Sequence, residues 1–147
     1  MMNADLIVLC PGGLHTSLIP NLLVEGFSDA LRQSDAKKVF IANLMNRKGQ
    51  TTGFKVSDYL NELERFIGED VFDYVLVNHQ KPPQPLIDLY ADEGDLVEND
   101  LKDDRVRAAS LLGEVKAGPK KDLMKRNLIR HDSKKLASEL MKIVDHL

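Results

Sequence analysis

The turn at residues 10–17, CPGGLHTS, is the first place in this sequence where small-molecule chemistry is expected. Its two glycines allow backbone N–H groups to approach a ligand closely, and the N-terminus of a following helix favours an anion. Thr16 and Ser17 could add hydroxyl contacts, or they could simply cap that helix. Turns of this composition also commonly connect a strand to a helix without binding anything. The residues therefore indicate either a phosphate-binding turn or a structural connection.

Two asparagines at the ends of apolar runs are further candidates. Asn43 and Asn78 each follow such a run, and their amides can donate to, and accept from, a sugar or the edge of a base. Asparagine is also a common turn residue, so a local structural role stays open at both positions.

The segment IRHDSKKLA, residues 129–137, concentrates charge just before a helical pattern. Arg130 could bind a diphosphate in bidentate fashion, and Asp132 could orient His131. In the alternative interpretation, Asp132 or Ser133 caps the helix and Arg130 is solvated. The other histidines show no metal-ligand spacing, so we expect no metal site made by this chain alone.

The elements that must position these residues follow from hydrophobic periodicity. Ser57 and Asp58 are expected to begin a helix that ends at Gly68, and Ser133 is expected to cap the last helix. The acidic stretch 92–104 is typical of a solvated, mobile connection. Four apolar or β-branched runs predict strands at residues 6–9, 38–43, 74–78 and, more weakly, 109–115.

Strands that alternate with helices predict an α/β fold in which a mostly parallel sheet has helices on its faces. We predict a single α/β domain over residues 1–147. In an open parallel sheet, ligands bind beyond the carboxyl ends of the strands, so the turn at 10–17, Asn43 and Asn78 should meet at one edge. Neither a G-x-G-x-x-G nor a G-x-x-x-x-G-K-[ST] segment is present, which argues against a self-sufficient nucleotide enzyme.

Composition narrows the class of protein. With 147 residues, 43% hydrophobic, the chain is large enough for one ordinary domain, and a net charge of −3 argues against general nucleic-acid binding. No apolar run approaches the roughly 18 residues of a membrane span, and Met1-Met2-Asn3 does not open a signal peptide. The single cysteine, Cys10, excludes an internal disulfide framework. A cytoplasmic protein is the expectation.

These motifs together resemble the CofD/YvcK family. Residues 4–54 are similar to its pattern AD-x-IVLGPGSLYTSIIPNLLV…A-KVYVCNLMTQPGET-GF, and SDYLNEL, VLVN and LIRHDSKKLA follow in the family's order. The gluconeogenesis-factor branch is the closer match, because PNLLV, NLM and RHD follow its version. Full-length members also carry an N-terminal half with GGGTG and Asp-Asp-Gly motifs, and nothing here matches either. The resemblance therefore implies the C-terminal half of a CofD-like domain, with a Rossmann-like, three-layer αβα architecture.

The resemblance also implies a ligand cleft without catalytic or metal-binding residues in this chain. At several positions the sequence departs from the family pattern: Cys10 replaces a glycine, Gly13 a serine, His15 a tyrosine, Asn46 a threonine and Tyr59 a histidine. The implied ligand-binding residues are Pro11, Gly12, Gly13, Thr16, Ser17, Asn43, Met45, Asn78, Arg130, His131 and Asp132.

Three functions follow from the resemblance. The first is a gluconeogenesis-factor-type protein that binds a nucleotide sugar such as UDP-N-acetylglucosamine and acts in carbon metabolism and cell-shape regulation. The alternatives are a 2-phospho-L-lactate transferase of deazaflavin coenzyme synthesis, with Mg²⁺ offsetting the diphosphate charge, or a truncated half-module that binds nothing. Because the acidic motif belongs to the other half, we expect the isolated chain to be inactive and to need no cofactor. We also expect self-association, or pairing with an N-terminal half.

Overall fold

The computed structural model describes residues 1–114 and 129–145, and within them four strands form one parallel sheet in the order β1-β2-β3-β4. Strands β1 and β3 have the predicted bounds, and β2 is shorter than predicted. The prediction for the fourth strand was wrong: it lies earlier in the chain, and Val115 is outside the described residues. The observed strands are β1 Leu6–Leu9, β2 Lys37–Ile41, β3 Tyr74–Asn78 and β4 Val106–Ala109.

The position of β4 follows from its neighbour β3. The parallel ladder between them runs from the Val75–Val106 pair to the Asn78–Ala109 pair. Beyond it, the Asn78 side chain accepts a hydrogen bond from the N–H of Leu111 at 3.0 Å. A side chain therefore takes the place of the ladder where the sequence had predicted a continuing strand.

A five-residue π-helical turn, Leu14–Leu18, precedes the first of the five α-helices found in the described residues. Because the strands follow one another in sequence order, right-handed crossovers place their connecting helices on one face of the sheet. The larger core lies on that face, around Phe40, Tyr59 and Leu63. The helices are α1 Ile19–Leu22, α2 Phe27–Gln33, α3 Val56–Ile67, α4 Gln84–Tyr90 and α5 Ser133–Val144.

The second face of the sheet is covered by α5. Ile143 packs there against Val39, Ile41 and Leu76, and these three strand residues have no solvent exposure. The α/β prediction is therefore confirmed, with helices on both faces of a parallel sheet. Among the described helices, none has the length and apolar character needed to cross a membrane.

Helix α3 begins slightly earlier than predicted and ends where predicted. Its N-cap is Lys55, whose N–H donates to the carboxylate of Asp58 at 2.8 Å. Ser57, the predicted cap, instead hydrogen-bonds Asp100 at 2.6 Å through its hydroxyl. Gly68 ends the helix with a φ of 95°, a left-handed value that glycine adopts without strain.

Helix α5 is capped by Asp132 and not by Ser133, which lies inside its first turn. The Asp132 carboxylate accepts from the N–H groups of Lys134 and Lys135 at 2.9 and 3.0 Å. These bonds, and the two lysine charges, lower the pKa of Asp132. Of the two caps open from sequence, the structure selects Asp132.

Candidate functional site

The candidate site is a cleft of about 540 Å³ at the carboxyl ends of β1 and β2. Three chain segments surround it: the turn after β1, the segment after β2, and the segment before α5. Tyr90 and Glu93, from the end of α4 and just beyond, complete the lining. The cleft is lined by Cys10, Pro11, Gly12, Asn43, Leu44, Met45, Asn46, Arg47, Tyr90, Glu93, Ile129, Arg130, His131 and Leu136.

Asn43 joins two of these segments. Its side-chain oxygen accepts from the N–H of Gly12 at 3.2 Å, and its amide nitrogen donates to the Gly12 carbonyl at 2.9 Å. The amide therefore replaces the next rung of the β1–β2 ladder and fixes the glycine turn against β2. Asn43 lies at the predicted edge, and its hydrogen bonds are made to the protein backbone.

The hydroxyl residues of the turn lie away from the cleft lining. Thr16 and Ser17 are exposed within the π-helical turn, and neither caps it with a side-chain hydrogen bond. The Gly13 carbonyl accepts from the N–H of Ser17 at 2.7 Å and of Leu18 at 3.0 Å. Pro11 and Gly12 line the cleft, whereas Gly13 serves to turn the chain into this helix.

Asn78 lines a neighbouring cavity of about 390 Å³, which shares Asn43 and Leu44 with the cleft. Its amide nitrogen donates to the Gln80 carbonyl at 2.6 Å, and its oxygen accepts from the N–H of Leu111. The structure thus brings Asn78 to the same edge of the sheet but engages its side chain in a turn. Asp132, which caps α5, is likewise not among the cleft-lining residues.

Arg130 and His131 both line the cleft, and Leu112 and Gly113, which follow β4 in the chain, hold their backbone. The N–H of Gly113 donates to the Arg130 carbonyl at 2.8 Å, and an isolated antiparallel bridge joins Leu112 to His131. His131 Nε2 is buried without a hydrogen-bond partner among residues 1–114 and 129–145. Burial lowers the pKa of His131 below its ordinary value of 6.5, so the ring is neutral at pH 7.

Tyr90 is one of the cleft-lining residues that were not predicted from the sequence, and Arg47 and Glu93 are two others. Only 5% of Tyr90 is exposed, and its hydroxyl has no hydrogen-bond partner within the described part of the chain. Its i, i+4 spacing from Leu86, which packs beside it, could have marked a buried helix face. Nothing in the local sequence indicates that this buried ring lines the same cleft as Arg130, forty positions further along.

The polar lining of the cleft suits an anionic ligand with hydrogen-bonding groups. Among the described lining residues, Arg47 and Arg130 carry positive charge and Glu93 carries negative charge. Buried hydroxyl and imidazole groups without partners are costly, and a ligand that hydrogen-bonds them removes that cost. Among residues 1–114 and 129–145, no group of three or more His, Cys, Asp or Glu side chains could hold a metal ion.

The lowered pKa of His131 predicts a pH dependence of stability. In the unfolded chain the ring takes up a proton near pH 6.5, whereas the folded protein takes it up only at lower pH. The stability that comes from keeping His131 neutral is therefore fully present above pH 6.5. This part of the unfolding free energy is lost as the pH falls towards the folded-state pKa, by at most about 1.4 kcal/mol per pH unit. Urea unfolding of wild type and His131→Gln at pH 5.0 and 7.5 measures this pH dependence of the unfolding free energy.

We expect the difference in unfolding free energy between the two pH values to be smaller in His131→Gln. His79→Gln is the matched control, because His79 is exposed. Identical pH dependence in wild type and His131→Gln would contradict the prediction.

Comparison with known proteins gives a consistent result. A family model described as "2-phospho-L-lactate transferase CofD" matches residues 1–114. A Thermotoga maritima protein named "Putative gluconeogenesis factor" is 43% identical over 143 residues, which are 95% of this chain and 44% of that protein. A Nostoc protein of the same name is 34% identical over 146 residues, 95% of this chain and 30% of that protein.

A solved structure agrees with these matches. The crystal structure of a UPF0052-family protein from Bacillus halodurans has a TM-score of 0.80 and 29% sequence identity, and the match covers 95% of this chain and 44% of that one. The chain thus spans less than half the length of these relatives.

Proposed function

This chain belongs to the CofD family, and on that premise we propose that it binds a nucleotide sugar such as UDP-N-acetylglucosamine in the cleft. Its relatives are named as gluconeogenesis factors. We extend to this chain a cytoplasmic role of that kind, in carbon metabolism and cell-shape regulation. In this proposal Pro11, Gly12, Asn43 and Met45 border the ligand.

One observation carries the proposal: two arginines line the cleft together with Tyr90 and His131, and the Tyr90 hydroxyl and His131 Nε2 are buried without a hydrogen-bond partner among the described residues. Arg130 and Arg47 suit a diphosphate, because a guanidinium can bind two phosphate oxygens at once. The Tyr90 hydroxyl and His131 Nε2 suit sugar hydroxyls, which both donate and accept. A volume of about 540 Å³ is within the usual range for small-molecule sites.

Replacing Tyr90 with phenylalanine separates ligand binding from folding. The substitution removes only a hydroxyl that is buried without a partner in the described structure, so the free protein should be as stable as wild type or about 1 kcal/mol more stable. Affinity for UDP-N-acetylglucosamine should fall roughly tenfold, because the ligand loses one buried hydrogen bond. Isothermal titration calorimetry and urea unfolding measure the two effects.

Tyr74→Phe is the matched control, since Tyr74 lies in β3 and its ring contacts Arg107 away from the cleft. It should leave the affinity unchanged. Unaltered affinity in Tyr90→Phe, with binding by wild type intact, would remove Tyr90 from the site. No binding by wild type would favour the half-module that binds nothing.

The description of the matching family model favours a second candidate function, transfer of a phospholactyl group to a deazaflavin. The donor would be a nucleotide-activated phospholactate, and only this candidate calls for Mg²⁺, which would offset the charge of the donor's diphosphate. A turnover assay on the purified chain, compared with a control containing the metal alone, tests it.

The free edge of β1 supports the partner we propose, which is either a separate N-terminal half or a second copy of this chain. Within the described residues β1 pairs only with β2, and all four of its apolar residues are half-buried. The chain also spans only 44% of the Thermotoga relative. An unpaired apolar strand edge readily accepts another strand.

A further inference from the structure

One wall of the cleft is made of two chain segments, residues 43–48 and 90–97, which lie side by side. The N–H of Asn46 donates to the Asp95 carbonyl at 2.7 Å. Both segments supply cleft-lining side chains, so their alignment determines where those side chains stand. The remaining connections are Lys48 N–H to Glu93 O at 2.8 Å, Val97 N–H to Leu44 O at 3.1 Å, and an antiparallel bridge between Met45 and Leu96.

The carboxylate of Asp95 holds this wall from outside the cleft. It accepts from the side-chain amide of Asn46 at 2.6 Å and from the N–H of Gly53 at 3.1 Å. Asp95 lines a different cavity, of about 500 Å³, and is not among the cleft-lining residues. It therefore fixes both ends of the loop that carries Arg47 without facing the cleft itself.

A buried polar cluster connects Asp95 to Arg47. Asn46 is only 4% exposed, and its side-chain oxygen accepts from the Tyr59 hydroxyl at 2.9 Å. The same hydroxyl lies 3.1 Å from Thr51 Oγ1, which accepts from the N–H of Arg47 at 2.9 Å. A fully satisfied buried network of this kind allows one arrangement of the backbone and no other.

We infer that Asp95 is a positioning residue that holds Arg47 in place to bind the ligand's phosphate groups. This inference rests on the proposed function. In the described part of the chain, the carboxylate accepts hydrogen bonds from the Asn46 amide and the Gly53 N–H, both of which are donors. In Asp95→Asn, the amide oxygen can take the place of Oδ1, which accepts from both donors, but the new NH₂ group would then stand about 3.1 Å from the Gly53 N–H. Two donors face each other there, so the attachment of the loop at Gly53 would be weakened.

Two measurements on Asp95→Asn test the inference. Hydrogen exchange on the ligand-free protein should show faster exchange of the Asn46 and Lys48 amides, because the wall opens more often. Calorimetry should show roughly tenfold weaker binding of UDP-N-acetylglucosamine. In an Arg47→Ala background the same substitution should change the affinity by less than about twofold, because the group it positions is already gone.

Asp100→Asn is the matched control. Asp100 is also a loop carboxylate that accepts from a backbone N–H and a side chain, both of Ser57, but neither residue lines the cleft. It should change neither the affinity nor the exchange of the wall amides. Unchanged wall exchange in Asp95→Asn overturns the inference, and so does unchanged affinity when wild type binds.

A failure of the proposed function can be distinguished from a failure of the inference about Asp95. If wild-type protein does not bind the nucleotide sugar, the proposed function falls. The exchange of the wall amides then decides alone whether Asp95 holds the wall, faster exchange supporting that role and unchanged exchange overturning it.

Discussion

Replacing Arg130 with alanine is expected to weaken binding of UDP-N-acetylglucosamine by roughly 10- to 100-fold, because charge-assisted hydrogen bonds contribute about 1.5–3 kcal/mol each. Arg130 lines the cleft, and its backbone carbonyl accepts from the N–H of Gly113 at 2.8 Å. The substitution leaves that backbone bond in place, so the loss should fall on ligand binding more than on the fold. Calorimetry at fixed ionic strength measures the affinity, and urea unfolding measures the stability.

Two variants control for the loss of charge. Arg65→Ala removes an equal charge from an exposed ion pair with Glu62 on α3 and should leave the affinity unchanged. Arg130→Lys keeps the charge but loses the planar, two-pronged geometry, and should bind with intermediate affinity. If Arg130→Ala binds as tightly as wild type, Arg130 does not contact the phosphates.

Structural features that depend on residues adjacent in sequence could be predicted from the sequence. The bounds of β1 and β3 follow from their apolar runs, and the end of α3 follows from Gly68, whose φ of 95° disfavours other residues. The segment after β4 could not be predicted in this way. A single hydrogen bond from the Leu111 N–H to the side chain of Asn78 replaces the strand ladder there, and only the folded chain brings these two residues together.

Only part of the cleft could be predicted, because some of its residues are brought together by contacts between segments far apart in sequence. The location of Gly12 and Asn43 followed from the rule that ligands bind at the carboxyl ends of parallel strands, and the structure places both there. Tyr90 and Glu93 reach the cleft because their segment pairs with the loop after β2, through contacts between residues far apart in sequence. The stretch 92–104, predicted as a mobile connection, supplies the Asp95 hydrogen bonds that hold this loop.

Two of the departures from the family pattern are in direct contact with each other. The hydroxyl of Tyr59, one departure from the pattern that the chain resembles, lies 2.9 Å from the side-chain oxygen of Asn46, another such departure. Tyr59 has no solvent exposure, and burial raises the pKa of its hydroxyl, which therefore stays protonated as a donor. Each residue thus supplies the partner that the other requires, so neither change leaves a buried polar group unsatisfied.

The largest effect on folding is expected from Gly94→Ala. This substitution adds a methyl group where the two segments of the wall, residues 43–48 and 90–97, approach each other closely. A Cβ atom at residue 94 would stand 1.9 Å from the backbone carbonyl oxygen of Asn46, and no flexible side chain can yield there. The two segments must separate, and we expect a loss of about 3 kcal/mol in unfolding free energy. Thermal unfolding should show a melting temperature lower by roughly 10 °C.

The comparison with Gly26→Ala shows why contact, and not backbone conformation, makes Gly94 necessary. Gly26 has a φ of 76° and open space around it, so alanine there should cost only about 1 kcal/mol of strain. Gly94 does not have a left-handed φ, yet its substitution should cost more. Because the displaced segment carries Arg47, Gly94→Ala should also weaken nucleotide-sugar binding, whereas Gly26→Ala should not. Equal stability losses in the two variants would show that the wall can open at little cost.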